Sequence, residues 1–151
     1  MKKTTFEKLN SEQRKLVLAA ADVMKNAYNP YSHFYVGAAI MTSDKKIITG
    51  ANMENAAYGS SICAERAALV RANDEGFKKI SKLAIIGRAG KQAVAEPVSP
   101  CGACRQMIFE ASQVSEIDTE IIMSNTNMDK IIVSHINELL PLGFGPKNFK
   151  K

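Results

Sequence analysis

The sequence predicts a three-layer α/β/α sandwich, in which a mixed five-stranded sheet is covered by helices on both faces. Three observations carry this expectation. An amphipathic helical segment is followed by two short apolar runs split by a tight polar turn, the pattern of a hairpin. From residue 63 onward helical and strand-like segments alternate, which calls for parallel neighbours in a shared sheet. The 151 residues contain no repeat, low-complexity block or linker, so residues 1–151 are expected to form a single domain.

The elements follow in chain order. Asn10, with Gln13 three residues later, is a helix-start signal. Leu16, Ala20, Val23, Met24 and Ala27 then recur at helical spacing, which predicts a helix over Ser11 to Ala27. Asn29-Pro30 ends it, because the residue before a proline avoids the helical region. Val36 to Thr42 and Lys46 to Ala51 read as strands joined through Ser43-Asp44-Lys45. Cys63 to Glu75 is alanine-rich and helical, with Gly76 as its terminator. Lys82 to Gly87 reads as a strand, Arg88 to Pro100 as a loop and Cys101 to Ala111 as a helix. Glu120 to Met123 and Ile131 to Val133 read as the last strands, and Asn137 to Leu140 as a short helical turn.

Hydrophobic residues form 46% of the chain and charged residues 23%, a balance that supports a packed core and excludes disorder. The net charge is +5, but the positive charges are scattered, with only short clusters at Lys2-Lys3, Lys45-Lys46, Lys78-Lys79 and Lys150-Lys151. No basic stripe interleaved with aromatics appears, so no nucleic-acid partner is expected. Met1 to Asn10 has no apolar core behind its lysines, and the apolar run Leu16 to Ala21 is ended by Asp22. Neither a secretory signal nor a membrane span is expected, and the chain is expected to be cytoplasmic. There, three cysteines point to metal or catalysis rather than to a disulfide framework.

All three cysteines lie in two segments, Cys63-Ala64-Glu65 and Pro100-Cys101-Gly102-Ala103-Cys104. Alone, the second also fits a structural zinc half-site or a redox pair, and Cys63 alone fits a small buried hydrophobe. Together, at the starts of two predicted helices, they offer three thiolates and one open position, the arrangement of a catalytic zinc. Helix N-termini carry partial positive charge, which favours the metal-binding thiolate. Three thiolates leave zinc with a net negative charge. A donor beside the sulfurs offsets this, and Arg66 is the candidate. Glu65, two residues after a ligand, is placed to carry a proton between a zinc-activated water and a substrate nitrogen.

A cysteine ligand, a non-ligating glutamate two residues on and a later Pro-Cys-x-x-Cys form the signature of zinc deaminases. With it come Pro30-Tyr31-Ser32-His33-Phe34, Val36-Gly37-Ala38-Ala39, Asn52-Met53-Glu54-Asn55-Ala56, Ile62 to Arg66, Ser99 to Gln106, Leu139-Leu140-Pro141 and Phe144-Gly145-Pro146. In these stretches, spanning about Ser11 to Phe149, the chain resembles the cytidine deaminases, in particular the small homotetrameric type with a three-cysteine zinc. The resemblance implies one Zn2+ per subunit on Cys63, Cys101 and Cys104, with Glu65 as proton shuttle. It implies that Asn52 and Glu54 hold the ribose 3′-hydroxyl, Phe34 lies against the pyrimidine and the Ala64 backbone meets the base edge. It places Tyr31 and Tyr58 near active-site and subunit contacts, and Phe144 in a neighbouring subunit's site. The reaction implied is hydrolytic deamination of cytidine and 2′-deoxycytidine in pyrimidine salvage, by a homotetramer with active sites near its interfaces.

Read without the resemblance, Asn52 is a turn residue, Glu54 and Arg66 are surface charges, and Phe34 and Phe144 belong to a core. The chain departs from the family pattern at Tyr35, Ser60-Ser61 and Ala67. Two other functions bear on the same residues. A related deaminase would take a modified nucleoside, a nucleoside antibiotic or a polynucleotide. A non-catalytic, zinc-stabilised interaction protein would close its site with a fourth ligand, for which His33 and His135 are available.

Overall fold

In a computed structural model the described residues are 1–77 and 79–149; Lys78, Lys150 and Lys151, with their share of the lysine pairs, lie outside them. Asn10 caps helix α1 (Ser11–Val23) as its sequence predicts. Its side chain accepts from Gln13 N at 2.9 Å, and Gln13 Oε1 accepts from Asn10 N at 3.0 Å. The helix stops four residues before the expected Ala27. Met24–Asn26 tighten into a 3-10 turn because Tyr28 is drawn into a bridge with Met53, its N–H donating to Asn52 O at 3.0 Å.

The predicted hairpin forms from β2 (Phe34–Thr42) and β3 (Ile47–Ala51), antiparallel, with Lys45 in the left-handed region at its turn. Helix α2 (Ala64–Asp74) ends as expected at Gly76, whose φ of +83° suits a residue without Cβ. Helix α3 (Gly102–Ser115) runs four residues past the expected Ala111. Serines disfavour helix interiors in isolation, but here both find tertiary partners: Ser112 Oγ donates to Ile117 O, and Ser115 Oγ accepts from Ile80 N. Helix α4 is a single turn, Ile136–Leu139.

The sheet has seven strands rather than five. β1 (Lys2–Thr4) and β5 (Gln92–Ala93) join β4 (Ile80–Ala89), β6 (Glu120–Ser124) and β7 (Ile131–His135). The order is β1-β7-β6-β4-β2-β3, with β5 paired to the end of β4; β4 and β6 are parallel and the other pairs antiparallel. The two extra strands carry no apolar alternation, being polar and mostly exposed at the sheet margin. They are held by backbone pairing, which side-chain patterning does not report.

Helices cover both faces, as expected. α1 packs Leu16, Val17 and Ala20 against Ala39, Met41, Ala84, Ile86 and Ile122. On the other face α2, α3 and α4 enclose Ile40, Leu83, Ile85, Ile108, Ile121 and Ile136. Two glycines let the helices sit this close. A Cβ on Gly37 would lie 1.9 Å from Ala20 O, and one on Gly50 would lie 2.4 Å from Ala68 N. Gly50 thereby fixes the height of α2, and with it the residues at that helix's start. Gly37→Ala is expected to cost about 3 kcal/mol by overpacking, lowering the thermal midpoint by roughly 6–12 °C. An unchanged midpoint would mean that α1 slides freely on the sheet.

The margin strand β1 is tied at Glu138, which accepts from Ser134 Oγ at 2.6 Å and from the Met1 amine at 2.9 Å. These bonds, with His135 N, pull the Glu138 carboxyl down to about 2 from 4.5. A carboxyl lowered in the folded chain stabilises it above its ordinary value, and that stability fades as pH falls towards the folded value. Thermal melts should therefore show a gap between native and Glu138→Gln protein above pH 4.5 that closes as pH falls towards 2; a pH-independent gap would contradict this tie.

Candidate active site

Two helix N-termini meet on the α2–α3 face of the sheet. Cys63 is the N-cap of α2 and Cys101 the N-cap of α3, one residue before each helix where the sequence placed them inside; Cys104 lies in the first turn of α3. Neither N-cap cysteine makes a side-chain capping bond, so both thiols are free to face away from the helix ends. The sulfurs of Cys63 and Cys101 are 3.9 Å apart, those of Cys101 and Cys104 are 3.5 Å apart, and all three lie within 4.8 Å of one another. A disulfide needs about 2.05 Å. Tetrahedral zinc with Zn–S near 2.3 Å needs sulfurs about 3.8 Å apart, which these distances fit. Among the described residues the group able to hold a metal consists of these three thiols, and neither His33 nor His135 belongs to it.

The thiols share charge unequally. Cys63 is brought down to about 5, chiefly by its hydrogen bond with Cys104, with Cys101 and the Arg66 guanidinium adding to this against burial. Cys104 is pushed up by the same bond to Cys63 and by burial. Arg66, the candidate donor, lies in the first turn of α2 with its charge near Cys63. Its Nη2 donates to Ser61 O at 2.7 Å, and its buried Nε has no hydrogen-bond partner among the described residues. Glu65 is 2% exposed, and burial raises its carboxyl to about 7; its own backbone N–H opposes this, and the Cys63 thiolate adds to it. A carboxyl poised there is suited both to take and to give a proton near neutrality.

A cavity of about 280 Å³ opens onto this centre. Cys63, Ala64, Glu65 and Cys101 line it, together with Phe34, Asn52 and Glu54, so seven of the predicted residues converge on one space. Asn52 also braces β2: its Nδ2 donates to Phe34 O and its Oδ1 accepts from Val36 N, both at 2.8 Å. One N–H and one lone pair remain on the amide. Glu54 Oε2 accepts from Tyr31 N at 2.9 Å and Ser32 N at 3.2 Å, and Oε1 accepts from Ser32 Oγ. The Ser32 bond in particular holds the Glu54 carboxyl low and ionised.

Four predicted residues are not among those lining this cavity: Cys104 and Arg66, already placed beside Cys63, and Tyr58 and Phe144. Tyr58 is exposed and lines an adjoining cleft with Tyr31, Ser32, Glu54 and Ser61, its ring edge-on to Tyr31 at 5.7 Å. Phe144 is 61% exposed and packs edge-on against Phe149. The sequence reading gave no site role to Val36, Val98 and Ser99, which also line the cavity, and it marked Ser61, another lining residue, only as a departure from the family pattern. Val36 and Ser99 stand in the quoted family stretches. Val98 carries no signal of its own, and only its neighbour Pro100 marked the place.

The sequence profile of the cytidine and deoxycytidylate deaminase zinc-binding region matches residues 10–120. A cytidine deaminase of Halalkalibacterium halodurans is 38% identical over 133 residues, covering 88% of this chain and 94% of its own. One of Sporosarcina psychrophila is 37% identical over 134 residues, with 89% and 92% covered. The crystal structure of cytidine deaminase from Burkholderia pseudomallei superposes with a TM-score of 0.78 at 36% identity, covering 90% of this chain and 100% of that one. With the three-thiol centre already in place at the helix starts, the chain belongs to the zinc-binding family of cytidine and deoxycytidylate deaminases.

Proposed function

We propose that the protein is a zinc-dependent hydrolase that converts cytidine and 2′-deoxycytidine to the uracil nucleosides with release of ammonia, serving pyrimidine salvage. The observation that carries the reading is a buried carboxyl, Glu65, beside three converging thiols in a cavity that also presents Asn52 and Glu54. Cys63, Cys101 and Cys104 would hold one zinc per chain, and zinc held there supplies an acidified water as the nucleophile. Glu65 takes a proton from that water and delivers it to N3 of the pyrimidine, which makes C4 electrophilic. Hydroxide adds to C4. Glu65, a carboxylate again, then takes the proton of the new C4 hydroxyl and passes it to the exocyclic nitrogen; the C4–O bond becomes the carbonyl as the C4–N bond breaks, its electron pair leaving on ammonia.

The chain's other residues bind and orient. Phe34 offers a face to the ring, and the Ala64 N–H, at a helix start with no intrahelical partner, offers a donor to the base edge. The ionised Glu54 accepts from the sugar hydroxyl, and the spare Asn52 N–H donates to it. Arg66 tempers the charge on the thiolates. Glu54→Gln is expected to raise KM for cytidine roughly 10- to 100-fold, the worth of one charge-assisted hydrogen bond, with zinc retained and kcat far less affected. Unchanged KM would remove Glu54 from the sugar site.

Assembly as a homotetramer follows the same reading. Tyr58, Leu142 and Phe144 are exposed apolar side chains outside the chain's own cavity, in keeping with active sites completed near interfaces. Light scattering should give four times the chain mass, and a monomer with full turnover would exclude it. Among the described residues no helix is long and apolar enough to cross a membrane. Three unpaired thiols suit a reducing compartment, and we place the protein in the cytoplasm. The reading is tested by competition. Zinc-loaded protein should deaminate cytidine and 2′-deoxycytidine, with single-stranded nucleic acid in excess causing no inhibition. Turnover of the polynucleotide alone would overturn it.

A further inference from the structure

Of the three cysteines, Cys101 is the most exposed. Like Cys63 it precedes its helix and makes no capping bond, and its sulfur lies against those of the other two thiols. Its placement rests on the backbone before and after it. After it, Arg105 N donates to Cys101 O at 2.9 Å as part of the first helical turn. Before it, the carbonyl of the buried Pro100 accepts from Arg105 Nε at 2.9 Å. Arg105 thus grips the turn on both sides of the ligand, once with its backbone and once with its side chain.

The same guanidinium reaches further. Arg105 Nη1 donates at 3.1 Å to the carbonyl of Leu139, the last residue of α4, whose carbonyl has no partner within that helix. The segment leaving Leu139 lies flat on α3. Cβ atoms on Gly143 and Gly145 would come within 3.0 and 2.8 Å of the Phe109 ring, and Gln106 Nε2 donates to Phe144 O at 2.8 Å. Arg105 and Gln106 are consecutive, yet only Arg105 also touches the cysteine turn. A planar group with donors on separate nitrogens in fixed directions can hold two separated carbonyls at once, whereas a lysine carries all its donors on one nitrogen and must reach both from a single point.

We infer that Arg105 is a positioning residue for the metal centre: it fixes Cys101 through Pro100 and ties that turn to the end of α4. It touches neither substrate nor metal. Loss of a metal begins with a ligand coming free, so slackening Pro100 should speed zinc departure. The inference rests on the zinc centre proposed above.

The test is the rate at which zinc-loaded protein yields its metal to a chromogenic chelator, read beside circular dichroism. Arg105→Met, which keeps the stem and removes the donors, should release zinc at least ten times faster than the native chain. Arg105→Lys should fold in the native manner, keep one carbonyl bond and release zinc at an intermediate rate. Gln106→Ala, which frees Phe144 O and leaves Pro100 held, should release zinc at the native rate. Native release from Arg105→Met, or from Arg105→Lys should the Met chain not fold, would overturn the inference. So would release from Gln106→Ala as fast as from the Arg105 variants. A native chain that takes up no zinc would overturn the zinc centre itself, and this inference with it.

Discussion

Glu65→Gln is expected to lower kcat for cytidine by about 10⁴-fold at equal zinc occupancy, the upper end of the range for a general acid–base residue. The upper end applies because the proposed cycle routes every proton transfer through this one carboxyl. Glutamine keeps the shape and fills the same space beside Ala64, but it can neither take the water's proton nor deliver one to N3. Zinc content should not change, because Glu65 is not among the three ligands. KM should move little, since sugar contacts lie elsewhere in the cavity. The fold should be as stable or slightly more so. Glu65 is 2% exposed and its ionised form is disfavoured by burial, a cost that the neutral amide does not carry. Undiminished turnover in zinc-loaded Glu65→Gln protein would remove Glu65 from the mechanism.

Cys104→Ser is expected to weaken zinc binding by at least about 100-fold, since even the loss of an outer-shell partner costs 10- to 100-fold. Cys104 is buried in the first turn of α3, with its sulfur 3.5 Å from that of Cys101. Two thiolates and a hydroxyl make a poor tetrahedral site, and turnover should fall with the metal. Zinc per chain, measured after dialysis, checks this beside circular dichroism, which should show the native helices. One zinc per chain retained by the serine variant would show that Cys104 is not a ligand.

The parts of the fold that the sequence made legible are those where a side chain declares the backbone's need. Asn10 and Gln13 announced the start of α1 because each supplies an atom that the other's backbone requires. Gly76 announced the end of α2 because the chain turns left-handed there. β1 and β5 announced nothing. Their pairing is made by backbone groups, and lysines and glutamines on a sheet margin resemble any surface. The extra turn of α3 was hidden for the opposite reason: Ser112 and Ser115 argue locally against a helix, and their hydroxyls are taken up by Ile117 O just past the helix end and by Ile80 N of β4.

The site divides in the same way. Cys63, Cys101, Cys104 and Glu65 were legible because their spacing is itself the chemistry. Asn52 and Glu54 were legible only through resemblance, and the structure gives each a structural bond besides: Asn52 to the backbone of β2, and Glu54 to Tyr31 and Ser32. Val98 was not legible, being an ordinary residue that the cavity collects from a loop, and Ser61 stood out only as a departure from the family pattern. Arg66 taken alone reads as a surface cation; only its place directly after Glu65 made it a candidate donor to the sulfurs, and in the fold its charge lies against Cys63.

In the proposed cycle a zinc on three thiolates, served by Glu65, deaminates cytidine. Its most direct test is ammonia release from cytidine by protein carrying one zinc per chain, measured again after a chelator has stripped the metal and once more after zinc is restored. The account predicts release, loss and recovery, with one uridine formed for each ammonia. Release that persists without metal, or no release from chains that hold one zinc each, would contradict it.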